Sequence, residues 1–130
     1  MDTGVYVTSA QPVLYMPCPY DAVYTATKAY ILSVSKAIGA ELKGSGVTIT
    51  TLCPGATKTG FAEKAGMEHT LLFKFFVMNP ATVADIGYKA LLKGKSVAIA
   101  GAYNQLLVWS SKITPSFILN AITKKLLTTP

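Results

Sequence analysis

The sequence predicts an α/β fold in which parallel strands alternate with helices. Three short runs of β-branched and apolar residues, at 5–8, 47–53 and 97–100, are typical of strands. The segments between and after them carry apolar residues at helical spacing. Strands that alternate with helices favour a parallel sheet, because parallel neighbours need a long crossover connection.

The predicted helices begin and end at recognisable residues. Asp21 can cap a helix over about 22–43, and the glycines of Gly44-Ser45-Gly46 end it. Asn79-Pro80 starts a helix over 81–92, and Thr114 caps a last helix over 115–127. Shorter helices are predicted over 71–78 and 103–111. The first helix carries an apolar stripe made of Val23, Ala26, Tyr30, Val34, Ala37 and Ile38.

The composition favours a chain with extensive burial, or one that a partner covers in part. The chain has 130 residues, of which 51% are hydrophobic and only 14% are charged. Its 12 lysines give a net charge of +6, and no arginine occurs. Arginine supplies most bidentate contacts to bases and phosphates, so these scattered lysines favour a solvated surface over a nucleic-acid partner.

The cysteine and histidine content argues against disulfide and metal sites. Cys18 and Cys53 lie in unrelated contexts without a C-x-x-C, which fits a reducing, cytoplasmic setting. His69 is the only histidine, so we expect a loop residue and no multi-histidine metal site. No secretory signal opens the sequence, and no apolar run is long enough to cross a bilayer.

Tyr24 and Lys28 form the one pair in the sequence whose residue types and spacing predict a particular chemistry. Residues four apart on a helix lie on the same face, about 5–6 Å apart at Cβ. A nearby ammonium favours the phenolate and lowers the pKa of a tyrosine, which can then exchange a proton with a carbonyl or alcohol oxygen. By itself this Y-x-x-x-K pattern also fits an ordinary surface pair, because both residues are common on helices.

The sequence around the pair narrows these alternatives. Tyr24-Thr25-Ala26-Thr27-Lys28-Ala29-Tyr30 is followed, after one helix and one strand, by Leu52-Cys53-Pro54-Gly55-Ala56-Thr57-Lys58-Thr59-Gly60-Phe61. The order and spacing of these two runs closely resemble the short-chain dehydrogenase/reductase family, and within it a bacterial branch. The resemblance extends from about Gly4 to the C-terminus.

The resemblance implies a role for each matched residue. Tyr24 would be the catalytic acid/base, and Lys28 would lower its pKa and hold the nicotinamide ribose of NAD or NADP. Ser9 would hydrogen-bond the substrate oxygen. The P-G turn would contact the nicotinamide carboxamide through Pro54, Gly55, Thr57 and Thr59, at the strand ends where doubly wound sheets bind ligands.

Two departures from the family pattern affect this assignment. The family serine precedes the tyrosine by thirteen residues, which falls on Gln11 rather than Ser9. We expect a bulge in the loop from Pro12 to Pro19 to keep Ser9 in place; the alternative is a weakened serine function. The Gly-rich turn that binds the pyrophosphate is also missing. Residues 1–130 therefore resemble the C-terminal half of a Rossmann-like doubly wound sheet without its dinucleotide-binding half: a cloned piece, a gene fragment or a truncated paralogue.

Two functions follow as hypotheses. The first is an oxidoreductase, complete or fragmentary, that moves hydride between NAD(P)H and a carbonyl or alcohol. The second is a non-catalytic relative that acts as a dimerisation or binding module through helix 22–43. An apolar substrate would suit the region 62–78, although its apolar side chains can equally pack on the sheet: Leu71, Leu72, Phe73, Phe75 and Phe76.

The last helix also has an apolar stripe, beside Lys124 and Lys125. Its members are Phe117, Ile118, Ala121, Ile122 and Leu126. We expect this stripe to dock on the body of the protein or on a second subunit. Contact with a membrane surface is the alternative.

Overall fold

The computed structural model of the protein describes residues 5–9, 22–58, 60, 64 and 77–127. Several sequence predictions lie outside the described residues: the cap Asp21, the proline-rich loop with Gln11, Thr59, His69 and the predicted helix as far as residue 76.

Three strands and four helices make up the described part. They are β1 (Val5–Ser9), α1 (Ala22–Glu41), β2 (Thr48–Cys53), α2 (Pro80–Leu92), β3 (Val97–Ile99), α3 (Ala102–Ser111) and α4 (Ser116–Leu127). The sequence placed these elements within two residues of their observed ends, the usual scatter of helix and strand termini. Gly44 and Gly46 both have positive φ angles, so the backbone after α1 leaves the helix where the sequence predicted.

The three strands form one parallel sheet in the order β1-β2-β3. β1 pairs with β2 from Val5–Thr48 to Ser9–Leu52, and β2 pairs with β3 from Thr51–Val97 to Cys53–Ile99. α1 connects β1 to β2 and α2 connects β2 to β3, as parallel neighbours require. The α/β prediction is confirmed.

Helices cover both faces of the sheet. Side chains alternate between the faces along a strand, so Cys53 and Leu52 point in opposite directions. Cys53 packs with Leu32 of α1, and Val97 and Ile99 complete this cluster. On the other face, α2 approaches closely at Gly87, where an added Cβ would lie 2.9 Å from Leu52 Cδ2. Glycine at this position therefore allows the contact between α2 and β2.

The apolar stripe of α1 lies on the side of the helix away from the sheet. Val23 is 80% exposed and Tyr30 is 70% exposed, and Ile38 is exposed as well. The buried residues of α1 are Leu32 and Ser35. At 100° per residue Leu32 lies opposite Val23, so the stripe is available to a partner outside the described chain.

Met78 belongs to a bridge and not to a helix, so the end of the predicted helix 71–78 is wrong. Thr57 and Met78 form an isolated parallel bridge. The Met78 N–H donates to Ala56 O at 2.9 Å, and the Lys58 N–H donates to Met78 O at 3.1 Å. The helix starts only after Asn79, whose Oδ1 accepts the Ala81 N–H at 2.8 Å. The bridge ties the two ends of segment 58–77 together.

The last helix differs from its prediction in two ways. The Thr114 hydroxyl donates to Ser110 O at 2.7 Å, in the turn after α3 has ended at Ser111, and α4 begins at Ser116 rather than at Pro115. Among the α4 residues whose burial is described, Leu119 and Thr123 are buried, whereas Phe117, Ile118 and Ile122 are exposed. Within the described residues, docking of the predicted stripe on the body is therefore wrong. No helix in this part of the chain is long and apolar enough to cross a membrane.

Candidate active site

Tyr24 and Lys28 lie one turn apart in the first half of α1, as their spacing predicts. Lys28 Nζ is 5.6 Å from the centroid of the Tyr24 ring. Both side chains are half-buried. The Thr27 hydroxyl donates to Tyr24 O at 2.6 Å, which satisfies a short polar side chain inside the helix. The arrangement places an ammonium beside a phenol while leaving both accessible to a ligand.

The ends of β1 and β2 meet at the same edge of the sheet. β1 ends at Ser9, which pairs in register with Leu52. Leu52 and Cys53 lead directly into the Pro54-Gly55 turn. In a parallel sheet the carboxyl ends of neighbouring strands share one edge, and α1 begins after β1 at that edge. The topology thus brings Ser9, the Tyr24 end of α1 and the P-G turn to one side of the fold.

The P-G turn is held by a close contact that the sequence analysis did not predict. Gly55 has φ +68°, and an added Cβ would lie 2.9 Å from Asn104 Cγ and closer still to Asn104 Nδ2. Asn104 is buried in α3, and its Nδ2 donates to Ala100 O at 2.7 Å. Glycine is therefore required here by the backbone and by the neighbouring amide.

Met78 and Gly101 complete the packing around this turn. An added Cβ on Gly101, whose φ is +88°, would lie 3.0 Å from Met78 Sδ. Asn104 Nδ2 is 3.9 Å from the same sulfur atom. No motif in the sequence marks Asn104 or Met78 as part of the site. The spacing of Gly101 and Asn104, a glycine before a helix and an asparagine in its first turn, could have suggested a contact near the site. This signal is weak.

A cavity of about 330 Å³ opens beside the P-G turn. Thr57 lines it, and the Thr57 hydroxyl donates to Gly55 O at 3.3 Å. The other lining residues come from the end of β2, the turn and the first turns of α2: Leu52, Pro54, Gly55, Pro80, Val83 and Ala84. The wall is largely apolar, so this side of the turn suits an apolar group better than a charged one.

Cys53 lies next to the turn but is unsuited to nucleophilic chemistry. It is fully buried and not in a disulfide. Burial raises the pKa of the Cys53 thiol to about 11, although the charge of Lys36 acts in the opposite direction. The thiolate is the nucleophile and the metal ligand, so a thiol kept protonated is inert. Across the described ranges, no three His, Cys, Asp or Glu residues lie close enough to hold a metal ion.

The positive-φ glycines of the described residues do not form the Gly-rich turn that binds a pyrophosphate. Gly55 and Gly101 are the positive-φ glycines at the carboxyl edge of the described sheet. Gly44, Gly46 and Gly94 also have positive φ, but they precede β2 and β3 and so lie at the opposite edge. None of these glycines opens a helix with the G-x-x-x-G-x-G spacing that binds a pyrophosphate.

Comparison with known proteins gives a consistent assignment. The model of the short chain dehydrogenase family matches residues 5–69. Alcohol dehydrogenase 2 of Ceratitis capitata is 36% identical over 69 residues, which are 52% of this chain and 27% of that enzyme. Alcohol dehydrogenase 1 of Ceratitis capitata is 35% identical over 69 residues, again 52% of this chain and 27% of that enzyme. The matched segment thus spans about a quarter of these curated relatives.

Two solved structures share the fold over nearly the whole chain. A short-chain dehydrogenase from Novosphingobium aromaticivorans superposes with a TM-score of 0.67 at 15% identity, over 100% of this chain and 40% of its own. A 7β-hydroxysteroid dehydrogenase gives a TM-score of 0.68 at 22% identity, over 93% of this chain and 48% of its own. At these identities the likeness supports the fold alone, which is part of a Rossmann-like sheet.

The family match covers both stretches that the sequence analysis singled out. Residues 5–69 include both the Tyr24–Lys28 pair and the Pro54-Gly55 turn. The chain belongs to the short-chain dehydrogenase family.

Proposed function

We propose that this chain is the catalytic half of an NAD(P)-dependent oxidoreductase that acts on a carbonyl or alcohol substrate. The observation that carries the proposal is the 5.6 Å approach of Lys28 Nζ to the Tyr24 ring. Membership of the family and similarity to two alcohol dehydrogenases support it. The proposal includes a reducing, cytoplasmic setting.

Tyr24 moves the proton in this reaction. In the reductive direction the Tyr24 hydroxyl donates its proton to the carbonyl oxygen, and in the oxidative direction the phenolate accepts it from the alcohol. Lys28 favours the phenolate because its ammonium stabilises negative charge on the ring oxygen. Ser9, at the end of β1, donates a hydrogen bond to the same substrate oxygen. NAD(P)H, when bound, would supply the hydride for the carbonyl carbon.

The cofactor is held at its nicotinamide end by this chain. Lys28 holds the ribose, and the turn at Pro54, Gly55 and Thr57 contacts the carboxamide, with Thr59 beyond the described residues. The tight packing of Asn104 under Gly55 supports this role, because a turn that must receive a ligand benefits from a fixed conformation. The pyrophosphate site belongs to the dinucleotide-binding half, which residues 1–130 do not supply.

An apolar substrate fits the cavity beside the turn. Val83, Ala84 and Pro80 contribute apolar walls on the α2 side. Residues 62–78, which the resemblance to the family assigns to the substrate pocket, carry Phe73, Phe75 and Phe76. The substrate class proposed is therefore a small apolar ketone or secondary alcohol.

The second candidate function is a non-catalytic dimerisation module, and one observation favours it. The stripe of α1 that contains Val23 and Tyr30 is exposed, although it is apolar enough to be buried. Self-association through α1 would cover the stripe without any need for a cofactor. Because homo-oligomer formation is compatible with both functions, a measurement of activity distinguishes them and a measurement of oligomeric state does not.

Cofactor binding tests the proposal. We expect the isolated chain to show no saturable NADPH or NADH binding below ~100 μM, or about −5.5 kcal/mol, because the pyrophosphate site is missing. The same chain should bind once a family dinucleotide-binding half is joined ahead of β1 or supplied as a separate chain. Fluorescence titration of the reduced cofactor measures both cases.

The dinucleotide-binding half without this chain is the matched control. Binding that is no tighter in the joined protein than in that half would contradict a cofactor role for the P-G turn. Saturable binding by the isolated chain would contradict the division of the site between two halves.

A further inference from the structure

The net positive charge of this protein lies in its C-terminal third. Asp85 is the last acidic residue of the sequence, and six of the 12 lysines follow it. Lysines and acidic residues therefore cancel over residues 1–85, and the whole net charge of +6 belongs to residues 86–130. Such an asymmetry creates a positive field over one part of the surface, which attracts an anionic partner.

The same part of the chain exposes an apolar stripe on α3. Leu106 is 61% exposed, Trp109 is 63% exposed and Ile113 is 70% exposed. They are three and four residues apart, so they lie on one side of α3 and of the turn that continues it. Three large apolar side chains together on a surface mark a contact site more often than three scattered ones.

Trp109 connects the stripe to the positive charges. A groove of about 640 Å³ runs along the open edge of β3, with walls from α1, α2 and α3. Trp109 lines this groove together with Lys93, Lys95 and Lys112. Two described acidic residues lie on elements that form the groove walls: Asp85 of α2 is paired with Lys89 at 2.7 Å, and Glu41 is the last residue of α1, but neither lines the groove. Apolar and cationic side chains thus share one continuous surface.

Two other occupants fit this surface less well. A preceding half of the family domain would extend the sheet at β1, whereas β3 is the opposite edge. A second copy would present the same excess of lysines from residues 86–130, so this part of its chain offers no complementary negative charge. The surface needs a partner that accepts apolar side chains and carries negative charge.

We propose that the α3 surface formed by Leu106, Trp109, Ile113 and the lysines of the β3 groove binds an anionic membrane surface. Tryptophan is favoured at the boundary between headgroups and acyl chains, because its ring is apolar and its N–H is polar. Lysines beside it gain from the potential of anionic lipids. The contact is peripheral, and it is independent of the proposed redox function.

Vesicle flotation with the full chain tests this proposal, with Trp109 as the reporter because it is the only tryptophan. The probes are vesicles of phosphatidylcholine alone and of phosphatidylcholine with phosphatidylserine. We expect flotation with the anionic vesicles, a blue shift of Trp109 emission, and weaker binding as salt rises. Lys93→Glu with Lys95→Glu should lower the partition coefficient by ~10-fold or more. Leu106→Ser with Ile113→Ser should lower it by ~10-fold while leaving the reporter in place.

Matched controls use exposed residues outside this surface. Lys43→Glu with Lys64→Glu changes the net charge equally, and Ile38→Ser with Tyr88→Ser removes exposed apolar side chains from α1 and α2. Both controls should retain vesicle binding.

Equal flotation with neutral and anionic vesicles would overturn the proposal, as would no flotation with either. A Leu106→Ser/Ile113→Ser protein that changes its oligomeric state but keeps its vesicle binding would assign the surface to a second copy instead. Binding to a DNA duplex as tightly as to anionic vesicles at the same salt would also overturn it.

Discussion

The Tyr24–Lys28 pair and the P-G turn depend on the fold in different ways. Tyr24 and Lys28 need only one regular helix to come together, and both remain half-buried. The turn at Gly55 depends on Asn104 and Met78, which lie 49 and 23 residues further along the chain. A side-chain pair set by local helix geometry should tolerate changes elsewhere in the fold, whereas a turn set by packing depends on the surrounding core.

This difference predicts a large stability cost for Gly55→Ala. Alanine at a positive φ costs about 1–2 kcal/mol. The new Cβ also has to displace Asn104, whose buried hydrogen bond to Ala100 O is then lost at about 1–3 kcal/mol. We expect a total of ~3 kcal/mol, measured as the change in free energy of unfolding in urea.

Gly44→Ala is the matched control for this substitution. Gly44 has φ +89°, but nothing lies within 4 Å of an added Cβ. Gly44→Ala should therefore lower the free energy of unfolding only by the backbone cost of about 1–2 kcal/mol. If both substitutions cost the same, Asn104 does not hold the turn and the contrast between the two regions fails. In a Gly55→Ala/Asn104→Ala protein the loss of unfolding free energy should be smaller than the sum of the losses in the two single variants. The reason is that alanine at 104 removes the clash with the new Cβ.

The same contrast explains what the sequence could predict. The elements were placed within two residues, and Tyr24 and Lys28 were expected on one face, because helical spacing and caps are local signals. Asn104 was missed because its partner, Gly55, is 49 residues away and periodicity carries no information at that range. Met78 was assigned to a helix because its apolar neighbours fit helical spacing, yet a backbone bridge to Thr57 fixes it. The stripe of α1 was recognised, but spacing alone does not say which side faces the sheet.

The exposed stripe of α1 gives a second, smaller prediction. We expect the isolated chain to dimerise, aggregate or bind an apolar dye, since the stripe is exposed and β1 is an edge strand of the described sheet. Tyr30→Lys should weaken self-association by ~10-fold, about 1.4 kcal/mol, by placing a charge in the stripe. Tyr88→Lys, at an exposed position on α2, should not.

Size-exclusion chromatography with light scattering measures this association. A sharp monomer peak near 13.8 kDa, with cooperative unfolding and no dye binding, would mean that the chain folds as a closed unit. That result would contradict the interpretation of residues 1–130 as half of a family domain.

The most direct test of the central claim is the turnover of Tyr24→Phe in the protein joined to a dinucleotide-binding half. The substitution removes one hydroxyl and keeps the ring. NADPH-dependent reduction of an apolar ketone such as cyclohexanone should fall by ~100-fold or more, the scale of a lost general acid. Tyr30→Phe, on the exposed stripe, should retain full turnover, and both proteins should bind NADPH as the parent does. Full activity in Tyr24→Phe would make Tyr24 and Lys28 an ordinary surface pair.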